Sequence, residues 1–336
     1  MNGFDRTAVE SAHWDVLIVG AGPVGLYASY YAGFRGLSAV ILDSLSEVGG
    51  QISAMYPEKY LYDIAGFPQI RGRDLIKSLD EQAGRFDHPV LLGQQATALD
   101  GEPGAFVVTT SEGVRIRARA VLLTSGIGTF TPRTPPAGAE YLGRGVSYFV
   151  TDPESLADQD VVVLGGGDSA VDWALMLESV ARKVTLVHRR DQFRAHGHSV
   201  KLLHESRVEI LTRARLIGVQ GDEALRAVEV DHDGGTKVLD ADHVVSALGF
   251  IADLGPLLDW RLEMRDRYVA VDQRMATSRD GVYAAGDLAD FDGKVRLLSV
   301  GFGEAATAVN NLAVRLDPAQ SLMPAHSSDQ APPEVA

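Results

Sequence analysis

Gly165-Gly166-Gly167-Asp168-Ser169-Ala170 is a glycine-rich turn between an apolar strand and a helix, and it is the second such turn in the chain. The first is Gly20-Ala21-Gly22-Pro23-Val24-Gly25. In the pattern G-x-G-x-x-G/A, the first glycine permits a tight turn and the second lets the backbone approach a pyrophosphate. The third small residue lets helix and strand pack closely, and the helix N-terminus offers free N–H groups to phosphates. Two such turns predict two bound dinucleotides.

The residues after the second turn indicate its ligand. The strand at 183–187 ends in His188-Arg189-Arg190, with Arg194 close behind, where an NAD site usually carries an acidic residue. Each charge-assisted hydrogen bond contributes roughly 1.5–3 kcal/mol, so two arginines favour NADP over NAD by about two to four orders of magnitude. The alternative is that these arginines form a solvated cationic helix start. The predicted NADPH site consists of Gly165, Gly167, Asp168, Ser169, Ala170, His188, Arg189, Arg190 and Arg194.

The first turn carries the acidic residue that the second one lacks. The strand that ends at Leu42 is followed by Asp43, 23 residues after Gly20, where a carboxylate can accept hydrogen bonds from an adenosine ribose. Pro23 lies in the first turn of the following helix, where a missing N–H costs least. The two turns therefore predict two different dinucleotides, although the first pattern alone is also compatible with another nucleotide.

Composition excludes several classes of protein. The 336 residues contain no cysteine, which excludes a disulfide framework, a thiolate metal site, a cysteine nucleophile and a dithiol relay; we predict no metal site. The net charge of −14 argues against binding to nucleic acid or to an anionic membrane. The segment before Trp14 lacks the apolar core of a signal peptide, and no run approaches the length of a membrane span, so we expect a cytoplasmic protein.

The order of elements predicts a split domain. An amphipathic helix at 74–86 precedes a three-stranded meander at 90–116, and apolar strands at 120–126 and 244–250 both end near glycine. We expect the chain to cross between domains at these strands, so that residues 1–126 and 250–336 form one domain and residues 127–249 an inserted one. Asp287 lies at the tip of another buried strand, where its carboxylate can hold a polyol hydroxyl. The dipole of a helix that opens near Ser299 can stabilise an anionic ring.

Together these residues resemble the two-dinucleotide flavoproteins. The Gly20-to-Gly25 turn with Asp43, the segment Gly49-Gly50-Gln51, the turn at 165–170, the run at 188–194 and Ala285-Gly286-Asp287 are similar to the thioredoxin reductase pattern. The resemblance implies an α/β protein with two Rossmann-like, three-layer ββα domains. It also implies FAD in the split domain and NADPH in the inserted one.

One departure from thioredoxin reductases bears on function. The redox-active Cys-x-x-Cys of those enzymes is absent after Gly145-Val146-Ser147-Tyr148, so electrons must leave to an external acceptor. Cysteine-free chains with Tyr56-Pro57-Glu58-Lys59-Tyr60, the segment Gly301 to Ala306, and His326-Ser327-Ser328 resemble the bacterial thioredoxin-reductase-like ferredoxin–NADP+ reductases. This resemblance implies hydride transfer from NADPH to FAD and single-electron transfer to ferredoxin or flavodoxin, in a homodimer.

The same resemblance implies the flavin-site residues. Tyr56 and His326 would cover the two faces of the flavin ring, and no residue is expected to act as an acid–base catalyst. From the sequence alone, Tyr56 could equally serve ordinary packing, and His326 could be a histidine of a mobile tail. The implied FAD contacts are Gly20, Gly22, Pro23, Gly25, Asp43, Gly50, Gln51, Tyr56, the backbone at Ala96, Phe130, Asp287, Ala306 and Ser328.

The acidic composition leaves two alternative functions open. Ferredoxins are usually acidic, so a chain of charge −14 should repel them unless a local basic patch, including Arg71, Arg73, Lys294 and Arg296, forms the docking face. One alternative is an NADPH-dependent reductase of free flavins, quinones, ferric complexes or oxygen. The other is a flavoprotein redox sensor, in which reduction changes domain orientation and partner binding.

Overall fold

Two large sheets organise the chain: a mixed sheet in one unit and a parallel sheet in the other. The computed structural model describes residues 6–324, apart from the side chains of Phe130 and Ala252. One compact unit comprises residues 1–129 and 253–336, and the other comprises residues 130–252. The second unit is therefore an insertion between two segments of the first.

The first segment alternates helices and strands from the start of the described chain. Its elements are α1 (Arg6–Ser11), β1 (His13–Val19), α2 (Pro23–Phe34), β2 (Ala39–Leu42), α3 (Gln51–Met55), β3 (Tyr60–Leu61), β4 (Ile70–Arg71), α4 (Gly72–Ala83), β5 (Val90–Leu91), β6 (Ala96–Glu102), β7 (Ala105–Thr110), β8 (Arg115–Leu123) and β9 (Thr129–Pro132), the last of which crosses into the second unit.

The three-stranded meander, predicted at residues 90–116, begins and ends later in the chain. Strand β5 pairs with β2 in the parallel sheet, so the meander consists of β6, β7 and β8. Strand β8 also contains most of the apolar strand predicted separately at 120–126. Its first residues pair antiparallel with β7, while residues 117–123 pair parallel with β1. One long strand therefore joins the meander to the parallel sheet.

The second unit has a similar succession of elements. They are a 3-10 turn (Ala139–Tyr141), β10 (Val146–Ser147), a 3-10 turn (Pro153–Leu156), β11 (Asp160–Leu164), α5 (Asp168–Leu177), β12 (Lys183–Val187), α6 (Gly197–Glu205), β13 (Glu209–Leu211), β14 (Ala214–Gly221), β15 (Leu225–His232), β16 (Gly235–Asp240), β17 (His243–Ser246) and β18 (Phe250–Asp253), the last of which crosses back.

The final segment returns to the first unit. It contains a 3-10 helix (Gly255–Trp260), β19 (Met264–Arg265), β20 (Tyr268–Ala270), β21 (Val282–Ala284), a 3-10 turn (Gly286–Leu288), β22 (Ala289–Asp290) and α7 (Leu298–Leu316). Strand β21 pairs parallel with the end of β8. Within residues 6–324, no helix is both long and apolar enough to cross a membrane.

The sheet of the first unit brings the ends of its five parallel strands to one edge. Its parallel strands follow the order β5-β2-β1-β8, with β21 beside β8. Parallel strands end at the same edge, and ligands of open α/β sheets bind there. The first glycine turn, Asp43, the residues after Leu123 and the segment Ala285 to Asp287 therefore all begin at this edge.

The sheet of the second unit is covered on both faces. Its order is β10-β17-β11-β12-β13, and every pair is parallel. Along β11, Val161 and Val163 pack with the core of α5 and α6, whereas Val162 and Leu164 pack with the core of β14, β15 and β16. This alternation is the two-residue period of a strand. The α/β prediction, with Rossmann-like ββα architecture, is confirmed.

A charge cluster in the second unit predicts acid-dependent stability. Glu209 accepts hydrogen bonds from Lys183 and Lys237, each at 2.7 Å. The bonds from Lys183, then Lys237, lower the pKa of Glu209 from 4.5 to about 2. Because the pKa is lower in the folded state, this stabilisation is present above about pH 5 and is lost as pH falls toward 2.

We therefore expect Glu209→Gln to lower the thermal midpoint by about 2–4 °C near neutral pH. The difference from the parent protein should shrink by about pH 3, as measured by calorimetry. Glu205→Gln is the matched control, since that carboxylate is exposed and lies 3.9 Å from Lys201. An equal difference at both pH values would contradict this account.

Candidate functional site

The first glycine turn is shaped by close backbone contacts. Gly20 has φ +115°, and a Cβ there would lie 2.6 Å from the carbonyl oxygen of Thr124. A Cβ on Gly25 would lie 1.8 Å from the carbonyl oxygen of Gly20. Both distances exclude a side chain, so glycine is required at the first and last positions of the turn. Helix α2 begins directly behind the turn at Pro23.

Asp43 is held by the turn itself. Its Oδ2 accepts a hydrogen bond from the Ala21 N–H at 2.6 Å, and its Oδ1 accepts one from the Leu45 N–H at 2.8 Å. Burial raises the pKa of Asp43 above its usual range, although these backbone donors act in the opposite direction. The Gln94 N–H donates to the Asp43 carbonyl at 2.9 Å, which brings the segment that begins β6 at Ala96 to the same place.

The glycine pair after β2 adjoins the turn. The Gly49 N–H donates to the Ala21 carbonyl at 2.8 Å. A Cβ on Gly50 would lie 3.1 Å from the Cα of Gly22, so the two backbones approach each other closely. Within the described chain, Ser125 Oγ is buried without a hydrogen-bond partner at the end of β8 beside this turn. The glycine backbone and the unpaired Ser125 hydroxyl fit a ligand that approaches the main chain closely.

Two of the implied FAD contacts, Tyr56 and Asp287, lie near each other. Burial, followed by the charges of Asp287 and Asp63, raises the pKa of Tyr56 to about 12. The phenol is therefore protonated and neutral at physiological pH. Tyr56 ends helix α3, and Asp287 follows β21, so residues far apart in sequence meet at the sheet edge.

Helix α7 begins at the same place. A Cβ on Gly301 would lie 2.7 Å from Val24 Cγ2, and one on Gly286 would lie 3.2 Å from the same atom. The first turns of α2 and α7 therefore pack closely beside Gly286. Ala306 is half-buried further along α7. The predicted residues His326 and Ser328 lie outside the described residues, and for Phe130 only the backbone, in β9, is described.

At the second turn, as at the first, backbone contacts leave no room for a side chain at the first glycine. Gly165 has φ +148°, and a Cβ there would lie 2.4 Å from the Ala247 carbonyl oxygen and 2.7 Å from the Ala170 Cβ. A Cβ on Gly167 would meet no atom within 4 Å. Helix α5 begins at Asp168, whose Oδ1 accepts a hydrogen bond from the His196 N–H at 2.8 Å. The approach to Gly167 and the exposed Ser169 is open.

His188 anchors the arginine loop to this turn. Its buried ring packs so closely on Gly166 that a Cβ there would lie 2.1 Å from it, and it stacks on Phe193. Nε2 hydrogen-bonds the Gln192 carbonyl at 3.1 Å, and the Arg194 N–H donates to the Gly166 carbonyl at 2.7 Å. Burial, followed by the neighbouring arginines, lowers the pKa of His188, so the imidazole is neutral near pH 7.

The predicted phosphate-binding arginines are exposed. Across residues 6–324, Arg189, Arg190 and Arg194 form no ion pair, whereas the adjacent Asp191 pairs with Arg213 at 3.2 Å. Three cations therefore stand at the end of β12 without a competing carboxylate. This arrangement fits a phosphate group better than a ribose that lacks one.

The predicted basic patch is wrong for Lys294. That side chain is 2% exposed and pairs with the buried Glu304. Arg71 and Arg73 both contact Glu58, and Arg296 pairs with Asp290 at 2.7 Å. The four cations therefore do not form a free basic surface. Lys294 and Glu304 are also the two residues that sequence reasoning missed at this edge, because neither lies in a pattern that signals burial.

The described residues contain no group of three or more His, Asp or Glu side chains arranged to hold a metal ion. The first turn instead combines backbone with the Asp43 carboxylate, which suits a ligand hydroxyl, and the second combines backbone with guanidinium groups, which suit a phosphate.

The chain is similar in sequence and in fold to proteins of one oxidoreductase family. Residues 14–311 match the pyridine nucleotide-disulphide oxidoreductase family. The thioredoxin reductase of T. acidophilum superposes with a TM-score of 0.77 at 27% identity, over 90% of this chain and 99% of that one. This class comprises oxidoreductases, which confirms the predicted enzyme type.

Ferredoxin–NADP reductases are more similar in sequence. That of Frankia alni is 56% identical over 315 residues, which cover 93% of this chain and 98% of the relative. That of Thermus thermophilus is 47% identical over 96% of this chain and 98% of the relative. The chain belongs to the pyridine nucleotide-disulphide oxidoreductases and, within them, to the family of these ferredoxin–NADP reductases. The predicted resemblance is confirmed.

Two adjacent glycines of the second turn provide a direct test of its geometry. We expect Gly166→Ala to lower the thermal midpoint, because the new methyl group displaces the His188 ring, whereas Gly167→Ala should leave it within about 1 °C. Differential scanning calorimetry of both variants, without ligand, makes the comparison. Equal destabilisation by the two substitutions would contradict the described contact between Gly166 and His188.

Proposed function

We propose that this protein is a ferredoxin–NADP+ reductase that transfers electrons between NADPH and ferredoxin, or flavodoxin, through bound FAD. The observation that carries the proposal is the contrast between the two turns: a half-buried carboxylate at the first and, at the second, three exposed arginines that form no ion pair within residues 6–324. The absence of cysteine from the whole sequence supports direct electron transfer to an external acceptor.

We propose that residues 1–126 and 250–336 form the FAD-binding domain. Gly20 and Gly25 would let strand and helix pack closely at the turn, Gly22 would let the backbone approach the pyrophosphate, and Pro23, which has no N–H, would begin α2 behind them. Asp43 would accept hydrogen bonds from the ribose. Tyr56 would cover one face of the ring as a neutral phenol, and the start of α7 would direct its positive dipole end toward the ring. Gly50, Gln51, the Ala96 backbone, Phe130, Asp287, Ala306 and Ser328 complete the proposed contacts, with His326 on the other face.

When bound, FAD would supply the redox chemistry that a hydride donor and a single-electron acceptor require. The chain's residues would bind and orient the two cofactors, and no side chain is assigned a proton-transfer role.

We propose that residues 127–249 bind NADPH, with Gly165, Gly167, Ser169 and Ala170 shaping the pyrophosphate site at α5. Asp168 and His188 would hold the arginine loop against the turn. Arg189, Arg190 and Arg194 would then bind the 2′-phosphate.

An exchange of the arginines tests the cofactor assignment. We expect Arg189→Ala combined with Arg190→Ala to reduce the preference for NADPH over NADH by about two to four orders of magnitude. The preference is measured as the ratio of the two kcat/KM values. Arg226→Ala is the control, because Arg226 is an exposed arginine of the same unit that pairs with Asp222. An unchanged ratio would assign the phosphate to other residues.

The acceptor is tested by carrier dependence. NADPH-driven cytochrome c reduction should require added ferredoxin or flavodoxin, and NADH should support it poorly. Equal rates without a carrier would favour the alternative of a general reductase of free flavins, quinones, ferric complexes or oxygen. The acidic net charge and the pairing of Arg71, Arg73, Lys294 and Arg296 with carboxylates also support that alternative. Negligible turnover, with a partner that binds only one redox state, would favour the sensor.

Charge makes a further prediction about the acceptor. The chain carries −14, and an acidic ferredoxin would be repelled over long range. We therefore expect kcat/KM for ferredoxin to rise as salt increases to about 0.15 M, because the Debye length falls to about 8 Å. A steep fall with salt would instead indicate a basic docking face.

We propose a homodimer, which sedimentation equilibrium would test.

A further inference from the structure

A buried ion pair closes around one peptide of the first unit. Lys294 Nζ donates to both carboxylate oxygens of Glu304, at 2.5 and 2.6 Å, and to the Gly286 carbonyl at 2.9 Å. Glu304 Oε2 accepts the Gly286 N–H at 2.8 Å. The two side chains are 2% and 5% exposed. Both hydrogen-bonding groups of Gly286 therefore end on this pair.

The hydrogen-bonding inventory explains the choice of residues. Three acceptor atoms converge on one buried point, and an ammonium group has three donors and no acceptor. The carboxylate in turn accepts the backbone N–H and neutralises the cation. Gly286 has φ +77°, a conformation that other residues rarely adopt, and the bonds to its N–H and its carbonyl hold that conformation from both sides.

The consequence reaches Asp287, the next residue. Gly286 begins the 3-10 turn that carries Asp287, and Glu304 lies on α7, whose first turn packs against Gly286 through Val24. We infer that Lys294 and Glu304 are positioning residues that hold Asp287 and the start of α7 in one fixed frame for the flavin. This inference rests on the proposed function, since it assigns FAD to this edge of the sheet.

Burial of two charges is not an efficient way to gain stability. Desolvation offsets much of their attraction, and replacement by apolar side chains of similar volume is often neutral or stabilising. An effect of this ion pair on the geometry of Gly286 should therefore be measurable separately from its effect on stability. We expect removal of both charges to restore most of the thermal midpoint but to leave the Gly286 N–H without its acceptor, so that the peptide is held only by the Ala289 N–H, which donates to the Gly286 carbonyl.

The test uses Lys294→Met, Glu304→Met and the double variant. Each single variant leaves one buried charge without its partner and should therefore lower the thermal midpoint. The double variant should recover most of that loss. In the double variant we expect amide exchange of the 285–290 segment to be at least about tenfold faster, with exchange of β1 and β8 unchanged. We expect the Kd for FAD of the apoprotein, from quenching of flavin fluorescence, to rise about tenfold.

The control is Arg265→Met combined with Asp292→Asn, which removes an exposed ion pair of the same unit whose Asp292 side chain is 99% exposed. It should change neither exchange nor FAD affinity. If the double variant recovers its midpoint together with parent-like exchange and FAD affinity, the pair is merely structural and the inference is overturned. Exchange is measured without FAD, so it tests the pair even if the parent apoprotein takes up no flavin, a result that would contradict the proposed function instead.

Discussion

The contact between a glycine turn and the end of the neighbouring strand is the constraint on which both sites depend. Gly20 lies against the Thr124 carbonyl after β8, and Gly165 lies against the Ala247 carbonyl after β17. In each unit the approach leaves no room for a Cβ, so the turn can form only where strand and helix already pack closely. The same contact leaves backbone N–H groups at the helix start free for a ligand.

The two sites differ by what the following strand supplies. After β2, the chain places a carboxylate against the turn, where the Ala21 N–H holds it. After β12, it places a neutral histidine under the turn and leaves three guanidinium groups exposed. This difference in charge is the reason why we propose a ribose contact at the first turn and a phosphate contact at the second.

Net charge and local charge play different roles in this chain. The excess of acidic residues over basic ones is a property of composition, and it governs long-range steering of partners. Several cations that composition counts as available are instead used inside the structure. Lys294 donates hydrogen bonds to Glu304 and to the Gly286 carbonyl. Arg279 donates to the carbonyls of Leu99 and Gly101 and lies over the Phe106 ring. A basic residue near a site in sequence is therefore not evidence for a basic surface.

The sequence by itself determined the features that depend on short segments. The two turns, Asp43 and the arginine run lie within strand–turn–helix windows, where backbone sterics and the periods of strand and helix act locally, and the fold class follows from them. Tertiary structure alone decided which distant residues meet. It made β8 a single strand shared by the meander and the parallel sheet, brought Tyr56 to Asp287, and buried Lys294 against Glu304. These contacts join segments of the chain far apart in sequence, so only packing of the completed sheet and its helices, not any local pattern, could specify them.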